Sequence, residues 1–207
     1  MATVYLASRS PRRRQLLRQI GVRCTLLLLR QSPPRGPDVD ETPHDSEVVA
    51  DFALRVAVAK ARFGAALLVA RRLPRGAVLA ADTVVSIDGG ILGQPADRDE
   101  AASYLRRLSG RSHEVRTAVA LTVGRSDEAE VLTAVSVSTV RFAALSERQI
   151  ERYCAGPEPY DKAGGYAIQG VAATFIEHLD GSYSGVMGLP LFETAQLLRQ
   201  GGIAELP

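Results

Sequence analysis

Cysteine is scarce: Cys24 and Cys154 are the whole complement of 207 residues. Two thiols so far apart make neither a disulfide framework nor a CxxC pair, and a reduced, intracellular setting is the simplest expectation. The three histidines, His44, His113 and His178, show no metal-ligand spacing. The longest apolar runs, 24–29 and 64–70, are far too short to span a bilayer. The chain opens directly into strand and helix signals, so no secretory leader is expected. Walker A, GxGxxG and GxSxG patterns and internal repeats are missing. A net charge of only +2 argues against a dedicated nucleic-acid binder, though it leaves room for a local cationic pocket.

The composition is that of a globular protein, with 46% hydrophobic and 23% charged residues. The length suits one domain, or one domain of two lobes, and can bury a core without disulfides or metals. Strand signals at 4–7 and 22–29 flank a helix announced by Ser10 as N-cap and Pro11 as first residue, with Gly21 after its end. A loop with four prolines covers 30–43. A helix follows from about 46 to 63, extending towards 71, in which Phe52, Val56, Lys60 and Phe63 are spaced by three and four. Strands are expected at 77–82, 84–87 and 91–92, the last two joined at Asp88-Gly89-Gly90. Asp97 with Glu100, and Ser146 with Gln149, read as capping boxes for helices ending near Gly110 and Ala155. Long strands at 114–123 and 130–142 are joined by a polar turn at 124–128. After a glycine-rich loop at 156–170 come a strand at 174–179 and a helix from Pro190 to Gly201. Alternating strands and helices predict an α/β fold with a mixed central sheet flanked by helices.

Three stretches carry candidate chemistry. In 6–14 a strand ends and a helix begins with Arg12, Arg13 and Arg14 behind it. Helix N-termini bind anions and guanidinium forks fit phosphate, although a solvated basic helix start is equally open. Positive charge there opposes the helix dipole, a mismatch that an anion would relieve. In 80–84, Asp82 closes an apolar strand, where a carboxylate can hold a divalent metal or take a proton from water; taken alone, a turn aspartate is the commoner explanation. In 160–170, two glycines precede Tyr166 and Gln169, a pattern suited either to backbone approaching a ligand or to an ordinary surface loop. An amide such as Gln169 can both donate to and accept from a base edge. Glu41 and Lys60 complete the charged candidates, each by itself more often a surface residue.

Taken together, the blocks LASRSPRRR, DETP, AxAKA, ADTVV, LSGRSHEVRTAVAL, DKAGGYAIQG and GSYSGVMGLPL resemble the Maf family of nucleotide pyrophosphatases, in the family's order and spacing from about Tyr5 to Leu198. The resemblance implies a single domain over 1–207, two lobes around one cleft, with a mixed α/β fold similar to that of inosine triphosphate pyrophosphatases. It implies a cytoplasmic homodimer that cuts nucleoside triphosphates to monophosphate and pyrophosphate with Mg²⁺ or Mn²⁺, without membrane or nucleic-acid partners. By position, Asp82 matches the general base, and Arg12, Thr83 and Gln169 match residues that set substrate choice. Ser8, Arg13, Lys60 and Lys162 match polar residues of the same cleft, Gln94 stands at a phosphate-side position, and Glu41 joins Asp82 as metal ligand. The DKAGxYxIQG form is similar to the branch acting on dTTP and UTP.

Two departures stand out. Gly165 and Ala167 replace the commoner Ala and Gly, a swap that matters only if residue 167 needs positive φ. More seriously, Leu92-Gly93-Gln94-Pro95 has glutamine where the family usually carries lysine. One positive charge is thereby lost, which keeps open a catalytically weakened, nucleotide-binding regulator as the alternative. Arg98, four residues on, is the nearest candidate to compensate. A charge-assisted contact is worth about 1.5–3 kcal/mol. Gln94→Lys is therefore expected to raise kcat/KM for dTTP or UTP, Arg98→Ala to lower it, and the pair to be non-additive if they share one phosphate. Steady-state kinetics of the three variants checks this; a silent pair would show that neither side chain meets the phosphates.

Overall fold

The computed structural model describes residues 3–30, 36–44, 47–124 and 130–206. The elements are β1 (Thr3–Leu6), α1 (Pro11–Gln19), β2 (Arg23–Leu26), α2 (Val49–Ala70), β3 (Val78–Ile87), β4 (Gly90–Leu92), α3 (Arg98–Leu108), β5 (Ser112–Val123), β6 (Glu130–Phe142), α4 (Glu147–Cys154), β7 (Ile176–Asp180), α5 (Tyr183–Met187) and α6 (Leu191–Gln200). Seven strands form one sheet in the order β2-β1-β3-β5-β6-β7, with β4 paired to β3. Parallel pairs β1–β2 and β1–β3 coexist with antiparallel pairs β3–β4 and β6–β7, so the expected mixed α/β sheet is present. No helix among the described residues is long and apolar enough to cross a membrane.

The chain divides into two compact units. The first comprises 1–82, 117–135 and 188–207. Its central helix, α2, buries Phe52, Val56, Lys60, Gly64 and Leu68, a ladder four residues apart that makes one core-facing stripe. Gly64 lets that stripe lie close to the sheet: a Cβ there would stand 2.8 Å from Val78 Cγ1 and 3.3 Å from Leu27 Cδ2. Helix α1 starts as its sequence predicts, with Pro11 at its first position and the Ser10 hydroxyl accepting from the Arg13 amide.

The second unit comprises 83–116 and 136–187. Its β3–β4 hairpin turns through Asp88 at φ 55° and Gly89 at φ 74°, the left-handed pair that a two-residue turn requires. Helix α4 opens with a complete capping box between Ser146 and Gln149. At α3 the box is half made: Asp97 accepts from the Glu100 amide, while the Glu100 carboxylate accepts from the Ala96 amide instead. The core joins Leu105, Leu108, Phe142, Ile150, Tyr153, Tyr166 and Phe175, with rings meeting edge to face.

Several sequence expectations shift. The strands expected at 77–82 and 84–87 are one continuous strand, because Thr83 is β-branched and fits a strand interior, and no breaker separates the halves. Asp82 therefore lies within β3, not at its end. Strand β2 stops at Leu26, short of the expected Leu29, at the edge of the sheet where Leu28 stays exposed. The loop 156–170 contains short 3-10 turns at Glu158–Asp161 and Ala163–Gly165, and the short helix α5 was not anticipated. The helix start near Ser46 and most of the turn at 124–128 fall outside the described residues.

Gly64→Ala tests the packing of α2. Alanine is the better helix former by about 1 kcal/mol, but overpacking costs about 1–3 kcal/mol. Because the neighbours are Val78 and Leu27 in a buried strand and its flank, the expected net result is a lower Tm by thermal denaturation. An unchanged or higher Tm would show that the helix can shift outward at no cost.

Candidate active site

The first unit holds six of the sequence-predicted residues. Lys60 sits on the core-facing stripe of α2, where a lone ammonium would be costly to bury. Its Nζ donates to Glu41 Oε2 at 2.7 Å and to Asp82 Oδ1 at 2.9 Å. Lys60 and Asp82 are buried, whereas Glu41, at the end of the proline-rich segment, keeps 40% of its side chain exposed. Two carboxylates from separate segments thus converge on one cationic point.

Beside them, Ser8 follows β1 and its Oγ accepts from the Ser10 amide at 3.1 Å and from Arg13 Nη1 at 3.3 Å. Arg13 Nε donates to the Gly188 carbonyl at 2.7 Å, which ties the start of α1 to the segment before α6. Burial pushes the Arg13 guanidinium below its ordinary range, opposed by the charge of Asp82. Burial likewise pushes Asp82 above the usual carboxylate range, against the pull of Lys60 and then Arg13. A buried carboxylate raised in this way and flanked by cations is the environment of a proton acceptor. Arg12 is half-buried on the same helical turn as Arg13.

The second unit carries Thr83, Gln94, Lys162 and Gln169. Thr83 follows Asp82 in β3 and is half-buried. The Gly164 amide donates to the Gly93 carbonyl at 3.0 Å, so the backbone beside Gln94 is joined to the glycine loop that holds Lys162 and Gln169. Gly164 and Gly165 have φ of 72° and 70°, and a Cβ on Gly164 would lie 2.9 Å from Val85. Ala167 does not have a positive φ, so the alanine at that position carries no backbone strain. Gln94 and Gln169 are exposed. Lys162 Nζ donates to the Glu158 carbonyl at 2.7 Å and pairs with Asp161. Arg98 is not directed as the sequence suggested: its Nη2 donates to the Glu151 carbonyl at 3.3 Å, because the start of α3 lies beside the end of α4.

Sequence reasoning missed the supports of these residues. The Glu158 carboxylate accepts from the Val171 and Ala172 amides at 2.8 and 3.1 Å and from Tyr153 Oη at 2.9 Å, clamping the chain just after Gln169. Gly170 leaves the space for it, since a Cβ there would stand 2.5 Å from that carboxylate. The only available signal was that Glu158 and Gly170 bracket the glycine-rich block. Among the described residues no group of three or more His, Cys, Asp or Glu side chains is arranged to hold a metal by itself.

The profile of the Maf-like protein family matches residues 3–201. The chain belongs to this family. Curated relatives cover nearly its whole length. One from Aromatoleum aromaticum is 53% identical over 97% of this chain and 96% of its own. Others from Nitrosomonas europaea and Bordetella avium are each 52% identical, over 97% of this chain and 95% and 96% of theirs. All three bear the name dTTP/UTP pyrophosphatase. A solved structure of the Staphylococcus aureus Ham1 protein aligns with 68% of this chain and 72% of its own, at 14% identity and a TM-score of 0.44.

The Maf-like chain's buried aspartate gives a signed expectation. Because burial raises the folded pKa of Asp82 above its unfolded value, the native state binds that proton more tightly. The linked stability is present at low pH and lost as pH rises through the folded pKa. Asn at this position avoids that loss, and Lys60 keeps Glu41 as its counter-charge. Asp82→Asn is therefore expected to melt no lower than the native chain at neutral pH, with any advantage shrinking as pH falls. A clear loss of Tm at pH 7 would show that the Lys60 pair outweighs the burial cost.

Proposed function

We propose that this chain hydrolyses dTTP and UTP to the monophosphate and pyrophosphate, as a cytoplasmic homodimer. The observation that carries the proposal is the convergence of Arg13, Glu41, Lys60 and Asp82 in a chain whose relatives, at just over half identity along nearly their full length, bear that name.

The chemistry follows from charge. A triphosphate is strongly anionic, so electrostatics and positioning make up most of the barrier. Ser8, Arg13 and Lys60, at the positive end of the α1 dipole, gather the phosphate chain. On the second unit, Thr83 and Gln169 choose the nucleotide, Gln169 by pairing its amide with the pyrimidine edge. Asp82, whose raised pKa strengthens it as a base, orients the attacking water and accepts its proton. Attack at the α-phosphorus expels pyrophosphate.

Glu41 and Asp82 also fit a divalent cation. Their carboxylates meet at a point already held by an ammonium group, and magnesium commonly takes one or two carboxylates with substrate phosphates as further ligands. When bound, Mg²⁺ or Mn²⁺ supplies electrostatic stabilisation of the phosphate charge.

Pyrophosphate release from dTTP and UTP, with Mg²⁺ or Mn²⁺ present, tests the proposal. Turnover is expected, and Asp82→Asn is expected to lower kcat by about 10²-fold or more, the scale of a general base. Tight nucleotide binding without turnover by the native chain would instead establish the regulator. An Asn variant that keeps more than about a third of native turnover would remove Asp82 from the base role.

A further inference from the structure

The second unit's core contains one polar contact that its packing does not require. His113 on β5 is only 4% exposed, and its Nε2 lies 2.7 Å from the Tyr166 hydroxyl, also buried. Both rings stand edge to face with Phe142, at centroid distances of 5.2 and 4.9 Å, in an otherwise apolar cluster. His113 Nδ1 is buried with no hydrogen-bond partner. Burial pushes the imidazole down to about 4, so it is neutral at physiological pH. Two apolar rings would fill the same volume without an orphaned nitrogen, and replacing both partners of a buried bond by apolar groups is often neutral or stabilising. The polar pair is thus poorly accounted for by stability alone. A fully directional buried bond does, however, fix one arrangement among several that apolar packing permits.

What it fixes is the loop 162–170. The Tyr166 side chain is hydrogen-bonded into the core, and Gln169 emerges three residues later, after buried Ala167 and Ile168. The loop is held on one side by the Gly164–Gly93 backbone bond and on the other by the Glu158 clamp on Val171 and Ala172. Between these two holds the backbone has no regular ladder: the Gly170 amide closes a local turn on the Ala167 carbonyl at 3.0 Å, and the Tyr166 hydroxyl adds a directional tie from that turn to the core.

We propose that the His113–Tyr166 hydrogen bond is a positioning device for nucleotide selection, setting the height and direction at which Gln169 is offered to the pyrimidine. Tyr166 and His113 are positioning residues, because they act through Gln169. The proposal rests on the reading of Gln169 as the base-contacting residue.

The test compares kcat/KM for dTTP and dGTP, together with Tm, in Gln169→Ala, Tyr166→Phe and the double variant His113→Leu/Tyr166→Phe. A misplaced hydrogen-bonding partner is expected to lower the dTTP:dGTP ratio about tenfold or more in all three, chiefly through KM for dTTP. The double variant, freed of the orphaned imidazole, is expected to regain native Tm without regaining the ratio. That split is the signature of positioning, since a merely structural bond would return selectivity along with stability. If Gln169→Ala leaves the ratio unchanged, the base-contact reading fails. If Gln169→Ala lowers it while Tyr166→Phe does not, that reading stands and the positioning proposal is overturned. A double variant that recovers both Tm and ratio, or equal losses on dTTP and dGTP in Tyr166→Phe, overturns the proposal as well.

Discussion

A buried lysine governs the first unit. Lys60 occupies a core-facing position on α2, among Val56, Ala57, Ala61 and Gly64, where an unpaired ammonium would be untenable. Its charge must be met, and two segments meet it: β3 through Asp82 and the proline-rich stretch through Glu41. Arg13 adds a second cation nearby, and its own burial is eased by the same aspartate. The helix, the strand and the loop are thus held in register by mutual neutralisation. An arrangement of this kind adds little net stability, because the desolvation of each ion offsets most of the attraction. What it provides is a concentrated field, with cations and carboxylates fixed before any ligand arrives, and preorganised charge is what phosphoryl chemistry needs.

The second unit uses a different physics. Its loop at 162–170 has two glycines in left-handed conformations and one lodged against a carboxylate, so the backbone takes a path no larger side chain could follow. Such a path lacks the ladder bonds that hold a strand. Point constraints replace them: a backbone bond to Gly93, the carboxylate of Glu158, and the phenol of Tyr166 against His113. Lys162 and Gln169, the polar candidates of this unit, are carried on this loop; of the groups that fix it, Tyr166 and His113 are buried, Glu158 is half-buried and Gly93 is exposed.

Much of the fold was legible because local rules decided it. Ser10-Pro11 starting α1, the Ser146–Gln149 box, the left-handed Asp88-Gly89 turn and the long strand at 130–142 are all settled by groups a few residues apart. The misreadings were of elements whose limits depend on distant partners. β3 runs unbroken through Asp82 because that carboxylate reaches across to α2 and does not fold back on its own turn. β2 is shorter than its apolar run because it lies at the sheet edge. Arg98 was expected near phosphate, yet it caps a carbonyl of α4, 53 residues away.

By itself, the sequence determined most of the element order, the family and the identities of the charged candidates, because these rest on spacing, turn chemistry and motif order along one chain. Only the tertiary structure decided that Lys60 faces inward and joins Glu41 to Asp82, that Arg13 is held by Gly188, and that His113 is a partner of Tyr166. These are contacts across 19 to 175 residues. Periodicity can say that Lys60 shares a face with Val56, but not which carboxylates will be brought to it. Electrostatic pairing in a core depends on distance in space, and spatial distance is set by the packing of whole elements, which no local pattern encodes.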